Sequence, residues 1–160
     1  MKTFTPQFTL DDLYRSPFRR QRALDPVSGT IIYTDIERTE QDQEQKTGIE
    51  LLDLYIDMLN SYSVYSCTAF ALAHGVPVRC FSSFIFALTG LSAIDFQHAY
   101  MMRKADDLLR YTWLSASDVA CYCGWTPVTL CRIFRKKYKQ TPTERRWDLR
   151  DVGDCGRYAI

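Results

Sequence analysis

The feature that most constrains the fold of this chain is an internal repeat. Ala71 aligns with Ala120, and Gly75 aligns with Gly124, at the same offset of 49 residues and without a gap. One Ala-x-x-x-Gly occurs by chance in many helices, but here the neighbouring positions repeat as well. Apolar residues occupy them in both copies: Phe70, Val76, Phe81 and Phe84 in the first, and Val119, Trp125, Leu130 and Ile133 in the second.

Each copy has the pattern of a helix-turn-helix. In that motif a small residue packs where two helices cross, a glycine four positions later takes the left-handed turn, and apolar residues form the shared core. Between the copies, Ser92 to Thr112 has apolar residues at steps of three and four, which predicts one helix of about twenty residues. Its stripe is Ile94, His98, Met101, Met102, Ala105, Leu108, Leu109 and Thr112, with Arg103, Lys104, Asp106, Asp107 and Arg110 opposite.

The length of this connecting helix suits DNA. About twenty residues span ~30 Å, close to the ~34 Å that separates successive major grooves on one face of B-DNA. The spacing therefore predicts a protein that binds two adjacent major grooves of DNA.

Everything after residue 48 is predicted to be helical. In IELLDLYIDMLN one stripe is apolar, and Asp53 and Asp57 lie outside it; the stripe is Leu51, Leu52, Tyr55, Ile56 and Leu59. Hydroxyl residues three positions before an acid predict helix starts, with Pro142 at a first helical position. These pairs are Ser92 with Asp95, Ser115 with Asp118, and Thr141 with Glu144.

The first 48 residues are interpreted as an arm. Residues 37–48, ERTEQDQEQKTG, have the composition of a solvated linker, and GTIIYTDI is compatible with a short strand. So short a segment offers little for an independent core. Its basic cluster suits either a flexible arm along phosphates or contact with the acidic linker: Arg15, Arg19, Arg20 and Arg22.

The fold class expected is therefore all-α, with two helix-turn-helix subdomains joined by a long linker helix and a short irregular N-terminal arm. The expected divisions are 1–48 for the arm and polar linker, 49–91 for the first helix-turn-helix unit, 92–112 for the linker helix, 113–150 for the second unit and 151–160 for a C-terminal tail.

Charge is unevenly distributed along the chain. The net charge is +1, but residues 1–97 contain eight Lys or Arg and twelve Asp or Glu, whereas residues 98–160 contain twelve and seven. The basic surface therefore lies in the C-terminal part. No stretch reaches the roughly 18 apolar residues that span a bilayer, and residues 1–10 contain no apolar signal-peptide core. We expect a cytoplasmic protein without a membrane partner, in which the six cysteines stay thiols.

The segment from about Ile49 to Trp147 resembles the DNA-binding domain of the AraC/XylS family. The matching residues are Thr89-Gly-Leu-Ser92, Met102-Arg-Lys-Ala-Asp-Asp-Leu-Leu109, Leu114-Ser-Ala-Ser-Asp-Val-Ala120, Gly124-Trp125, Ile133-Phe-Arg-Lys-Lys-Tyr138 and Thr141-Pro142. Residues 1–48 are too few for the family's usual sensor domain, and Lys139 or Gln140 replaces its usual glycine before the Thr-Pro pair. The resemblance implies transcriptional control, with activation through contact with RNA polymerase.

In such a domain the second helix of each unit enters the major groove. For the second unit we expect Arg132 to contact guanine, and Thr129 and Val128 to suit a thymine methyl. Lys136, Lys137 and Lys139 are expected at phosphates. The candidate DNA-binding residues are Arg79, Ser82 and Ser83 in the first unit, and Thr126, Val128, Thr129, Arg132, Arg135, Lys136 and Lys137 in the second.

The cysteines offer a competing interpretation of the second unit. Cys121 and Cys123 are one residue apart, whereas zinc motifs usually separate cysteines by two to four residues, and no histidine is near in sequence. Helical phase places Cys123 in the core, so we interpret these thiols as packing groups. No metal, cofactor or catalytic group is expected, since the chain shows no nucleophile with a base, no phosphate loop and no small-molecule effector site.

Two functions remain open from sequence. The first is a sequence-specific regulator without catalytic activity that binds double-stranded DNA through both units. The second is an adaptor or antagonist that binds another regulator or RNA polymerase, because the first unit carries Val78 and Phe86 where a DNA reader would carry polar residues.

Overall fold

The computed structural model describes residues 3–37 and 46–160. The described residues form two compact units. Unit 1 combines residues 3–15 with 46–103, and unit 2 combines residues 16–37 with 104–160. The described part of the N-terminal segment is thus divided between the units, and most of the linker expected at residues 37–48 lies outside the described residues.

Helices dominate both units. They are α1 (Leu10–Leu13), α2 (Glu50–Leu59), α3 (Cys67–Ala73), α4 (Val78–Thr89), α5 (Ala93–Tyr111), α6 (Ala116–Tyr122), α7 (Pro127–Tyr138) and α8 (Pro142–Leu149). The helix starts expected at Ser92, Ser115 and Thr141 are confirmed, because each side chain accepts the backbone N–H three residues on, at 3.2, 3.1 and 3.2 Å. Ser66 caps α3 in the same way, at 3.1 Å.

The sequence repeat is also a repeat of backbone structure. Helices α3 and α4 have the same bounds as α6 and α7 after the offset of 49 residues. The turns match too, since Val76 donates its N–H to Ala71 and Trp125 donates to Ala120, both at 2.9 Å. Gly75 and Gly124 have φ of 69° and 71°, values that glycine adopts without a steric penalty. The chain bends by 112° between α3 and α4.

The expectation of an all-α fold is corrected by a small sheet in unit 2. Strand β1 (Arg20–Leu24) lies between β2 (Ile31–Asp35) and β3 (Tyr158–Ala159), and both pairings are antiparallel. The short strand expected in GTIIYTDI is β2. Its partner, RQRAL, is polar and shows no apolar alternation, and the third strand comes from the other end of the chain, which is why the sequence pattern did not predict a sheet.

Unit 1 has an aromatic core. The ring of Tyr55 lies 4.9 Å from Phe70 and 5.0 Å from Phe81 between ring centroids, and its hydroxyl donates to Gln97 at 3.0 Å. Asp53, expected outside the α2 stripe, is buried. Its carboxylate lies 3.2 Å from the guanidinium of Arg15, which also pairs with Asp57 at 2.9 Å. This ion pairing holds the N-terminal segment against α2.

Unit 2 has a mostly aliphatic core that also contains Phe134 and one buried lysine. Lys104 is 1% exposed, although the helical pattern placed it on the polar face of α5. It takes the position that Tyr55 takes in unit 1 after the offset of 49. Conversely, Ile94 and His98 of the expected stripe are exposed. The other six residues of that stripe, from Met101 to Thr112, are buried as expected, and near the start of α5 the buried position is Phe96 instead.

The basic cluster near the N-terminus makes contacts within the protein. Arg22 donates to the backbone carbonyls of Cys155 and Gly153 at 3.1 and 3.2 Å, and Arg20 donates to that of Ile160 at 3.1 Å. In the part of the chain that the structure describes, no single helix is long and apolar enough to cross a membrane; α3 and α4 reach that length only when combined across their bend.

Candidate nucleic-acid interface

Helix α7 carries most of the candidate residues, and local sequence determines where it begins. Thr126 Oγ1 accepts the backbone N–H of Thr129 at 3.2 Å, and Pro127 occupies the first helical position, where no N–H is needed. The two threonine hydroxyls also share a hydrogen bond of 2.8 Å. These bonds leave the methyl groups of the two threonines, rather than their hydroxyls, as the freer recognition groups.

The two faces of α7 differ sharply. Leu130 and Phe134 are 0% exposed, and they hold the helix against the core of unit 2. Val128 is 78% exposed. Four cationic residues are exposed as well: Arg132, Arg135, Lys136 and Lys137. Ile133, expected in the core, is only half-buried, and the fully buried position is the next one, Phe134. The structure thus places a basic, solvent-exposed surface on the side of α7 away from the core.

The C-terminal end of α7 is held by a polar network. Tyr138 donates its hydroxyl to Asp106 at 2.8 Å, and Arg145 donates to the same carboxylate at 3.2 and 3.3 Å. The guanidinium of Arg145 lies 3.9 Å from the centroid of the Tyr138 ring, within cation–π range. Burial, followed by the hydrogen bond with Asp106, raises the pKa of Tyr138 to about 12. The three side chains connect α5, α7 and α8.

Sequence reasoning missed this network. Asp106 was expected on the solvent face of α5, and its partners lie 32 and 39 positions further along the chain. No local pattern pairs residues at such distances, so the signal became visible only in the fold. We interpret the three residues as positioning groups for the exposed surface of α7.

A second internal support is the buried ammonium of Lys104. Its Nζ donates to the backbone carbonyl of Tyr122, the last residue of α6, at 2.8 Å. A cation at a helix C-terminus satisfies a carbonyl that has no partner within the helix and complements the helix dipole. Burial lowers the pKa of Lys104 to about 8. Burial also raises the pKa of the neighbouring Cys123 thiol to about 12, so this cysteine is a neutral core group.

Helix α4 presents a different surface. Arg79 and Ser83 are exposed, as expected. Ser82 is half-buried, and its Oγ accepts the backbone N–H of Ala93 at 3.5 Å, so part of its hydrogen-bonding capacity is used inside unit 1. Val78 and Phe86 are 38% and 51% exposed. The first unit therefore offers one cation and an apolar surface on this helix.

The cysteines of the second unit separate into two groups. Cys123 is 1% exposed and packs in the core, whereas Cys121, also interpreted as a packing group, is exposed. Within residues 3–37 and 46–160, no group of three or more His, Cys, Asp or Glu side chains is placed to hold a metal ion.

Comparison with known proteins agrees with the helical architecture. The chain is similar to the solved structure of the xylose-binding transcription activator XylR, with a TM-score of 0.53 and 22% sequence identity. The match covers 76% of this chain but 33% of the other, so this chain spans about a third of that protein. At this identity the likeness establishes a shared, mostly α fold. No protein-family model and no curated protein matches the sequence.

Proposed function

We propose that this protein is a non-catalytic, sequence-specific transcriptional regulator that binds double-stranded DNA through two helix-turn-helix units. The observation that carries the proposal is the exposed basic surface of α7, formed by Arg132, Arg135, Lys136 and Lys137 over a buried Leu130 and Phe134. An exposed, capped helix with this charge suits the major groove, whose walls are phosphates. The shared fold with a transcription activator supports the same function.

Individual residues take different roles in this proposal. Arg132 contacts guanine O6 and N7, because it lies two turns or less from the N-terminus of α7, the end that points toward the bases. Val128 and the methyl groups of Thr126 and Thr129 fit thymine methyls. Arg135, Lys136 and Lys137 contact phosphates, which set the register and make binding depend on salt. In unit 1, Arg79, Ser82 and Ser83 supply a second, weaker contact.

The test starts with duplexes that the protein itself selects from a randomised pool, followed by anisotropy titrations at several salt concentrations. We expect a selected site whose log K falls linearly with log salt, by about 0.9 per phosphate contact. Arg132→Ala should reduce the free energy by which the protein prefers one base pair over the others, at a single position of the site, by about 1 to 3 kcal/mol. Lys136→Ala should weaken binding to all duplexes alike. If the pool is not enriched and no duplex binds at low salt, the proposal is wrong.

A second candidate function is an adaptor or antagonist that binds another regulator or RNA polymerase. The exposed apolar side chains of Val78 and Phe86 favour it, because they suit a protein contact better than a phosphate. Arg79→Ala separates the candidates within unit 1. Loss of affinity and a shorter footprint would place α4 on DNA, whereas an unchanged footprint of about ten base pairs would assign DNA to unit 2 alone. If DNA is bound, contact with RNA polymerase remains the proposed route to activation.

A further inference from the structure

The N-terminal segment of the chain packs against one side of the last turn of α4, where Phe86 remains 51% exposed. The rings of Phe4 and Phe86 stack, with centroids 5.6 Å apart and planes 11° from parallel. Phe8 donates its backbone N–H to the carbonyl of Leu88 at 2.9 Å. At the end of the helix, a side chain built on Gly90 would touch Phe4 and Pro6, each at 3.6 Å. The last turn of α4 and the residue that ends it therefore face the protein's own N-terminal segment.

This cover is anchored by more than the aromatic stack. Leu13 of α1 is 1% exposed, and Thr9 forms a reciprocal cap with Asp12 at the start of that helix. The guanidinium of Arg15 pairs with Asp53 and Asp57, and its backbone N–H donates to the Tyr100 hydroxyl at 3.2 Å. The segment is thus part of the core of unit 1, and its first residues are held over α4 as a consequence.

The same positions in unit 2 carry positive charge. After the offset of 49 residues, Phe86 corresponds to Arg135, Ala87 to Lys136, Leu88 to Lys137 and Gly90 to Lys139. All four residues of unit 2 are exposed. From Cys80 to Gly90 the sequence contains no charged residue at all. A phosphate would therefore find four cations at the end of α7 but an aromatic stack at the end of α4.

We propose that the C-terminal half of α4, which carries no cation and has Phe4 stacked on Phe86, makes no phosphate contact, so that the cationic end of α7 supplies most of the salt-dependent anchor to DNA. This inference rests on the proposed function and assigns most of the phosphate contacts, and with them most of the salt dependence of DNA binding, to unit 2. Release of condensed counterions accompanies only contacts between cations and phosphates. Unit 1 can then contribute only through the exposed N-terminal half of α4, at Arg79 and Ser83.

Two variants that place opposite charges at Phe86 test this proposal. Phe86→Glu and Phe86→Arg disturb the stack alike but change the charge in opposite directions. We expect their affinities for the selected duplex to stay within about twofold of each other, with the wild-type salt slope, because a charge far from phosphates is screened. The matched control Arg135→Glu should weaken binding and reduce the magnitude of the salt slope by about 1.

A second pair keeps the test valid if the Phe86 variants unfold unit 1. Ala87 is exposed, corresponds to Lys136 and can be changed to Glu or Lys without touching the stack. Stronger binding by the cationic variant together with weaker binding by the acidic one, at either position, would overturn the inference. If neither the wild type nor Arg135→Glu binds DNA, the proposed function fails and the inference fails with it. If only Arg135→Glu is impaired, both stand.

Discussion

The two units have matching helix bounds but different surfaces. Helices α3 and α4 coincide with α6 and α7 at an offset of 49 residues, and the two turns make the same hydrogen bonds. Yet α4 contains one cation, whereas α7 contains four. The repeat keeps apolar residues at most positions that face inward, with the pair Tyr55 and Lys104 as an exception. A duplicated backbone therefore does not imply a duplicated function, and the exposed positions must be assessed in each unit separately.

The units also differ in what supports them. In unit 1 the N-terminal segment packs against the helices and is anchored by Leu13 and Arg15. In unit 2 the antiparallel pair β1 and β2 forms a three-stranded sheet with the C-terminal strand β3. Because Trp113, Trp125 and Trp147 all belong to unit 2, tryptophan fluorescence reports on that unit and not on unit 1. A change in tryptophan fluorescence on unfolding therefore measures the stability of unit 2.

The largest expected effect concerns the C-terminal closure of unit 2. A Cβ at Gly156 would overlap with the indole of Trp113, and φ there is +69°. Because the indole of Trp113 is 70% exposed and can shift, Gly156→Ala should lower the free energy of unfolding by about 2 to 3 kcal/mol, of which about 1 to 2 kcal/mol is backbone strain. Denaturant titration followed by tryptophan fluorescence measures the loss.

A neighbouring glycine supplies the control for this prediction. Gly153 also has a positive φ, +93°, but a Cβ there meets nothing within 4 Å. Gly153→Ala should cost only the strain, about 1 to 2 kcal/mol. Equal losses in the two variants would show that the contact with Trp113 does not distinguish them, and that the tail is not packed as described.

Sequence predicted the parts of the fold that depend on local pattern. The pattern inside each copy of the repeat predicted the helix pairs, and the hydroxyl–acid pairs predicted three helix starts. Each of these signals lies within a short stretch of sequence. Contacts between distant segments had no such signal. Arg20 meets Ile160 across 140 positions, and Asp106 meets Arg145 across 39. At the candidate site, helical phase correctly predicted exposure of Arg132 and Arg135, but it missed the network that holds the end of α7.

A second prediction concerns the buried position at which the units differ most. Because the pKa of Lys104 is about 8 in the folded protein and 10.5 in the unfolded chain, the folded state binds fewer protons between these values. Raising the pH through this window should therefore stabilise unit 2, by up to about 1.4 kcal/mol per pH unit. Tyr55 takes this position in unit 1, and burial raises its pKa further from the window.

The measurement compares wild type with Lys104→Met by tryptophan fluorescence in denaturant, from pH 7 to 9.5. The thiol of Cys123 opposes the trend, since its raised pKa of about 12 makes the folded state lose stability above the usual thiol pKa of about 9. Both proteins contain this thiol, so its own contribution cancels in the difference, which reports Lys104 together with its charge interaction with Cys123. We expect that difference to shift in favour of the wild type as the pH rises. Parallel curves would contradict a buried, titrating Lys104.

The smallest expected effect lies at the residues that end α4 and α7. Gly90 and Lys139 both adopt the left-handed conformation, with φ of 75° and 58°, and Lys139 is the one residue other than glycine with a positive φ in the described part of the chain. A side chain in this conformation costs about 1 to 2 kcal/mol, so Lys139→Gly should stabilise unit 2 by about 1 kcal/mol. The reverse change, Gly90→Lys, should destabilise unit 1 by a similar amount.

Substitutions of Lys139 also test whether its charge contributes to DNA binding while its left-handed backbone lowers the stability of unit 2. Lys139→Asn removes the charge but keeps a residue that tolerates the left-handed conformation. If Lys139 contacts a phosphate, both Lys139→Gly and Lys139→Asn should reduce the magnitude of the salt slope of DNA binding by about 1, although only the glycine variant gains the full stability. An unchanged slope in both would mean that the ammonium serves the helix end, where its Nζ donates to the carbonyl of Lys136 at 3.2 Å. The strained backbone would then have no function in DNA binding, and the basic surface of unit 2 would end at Lys137.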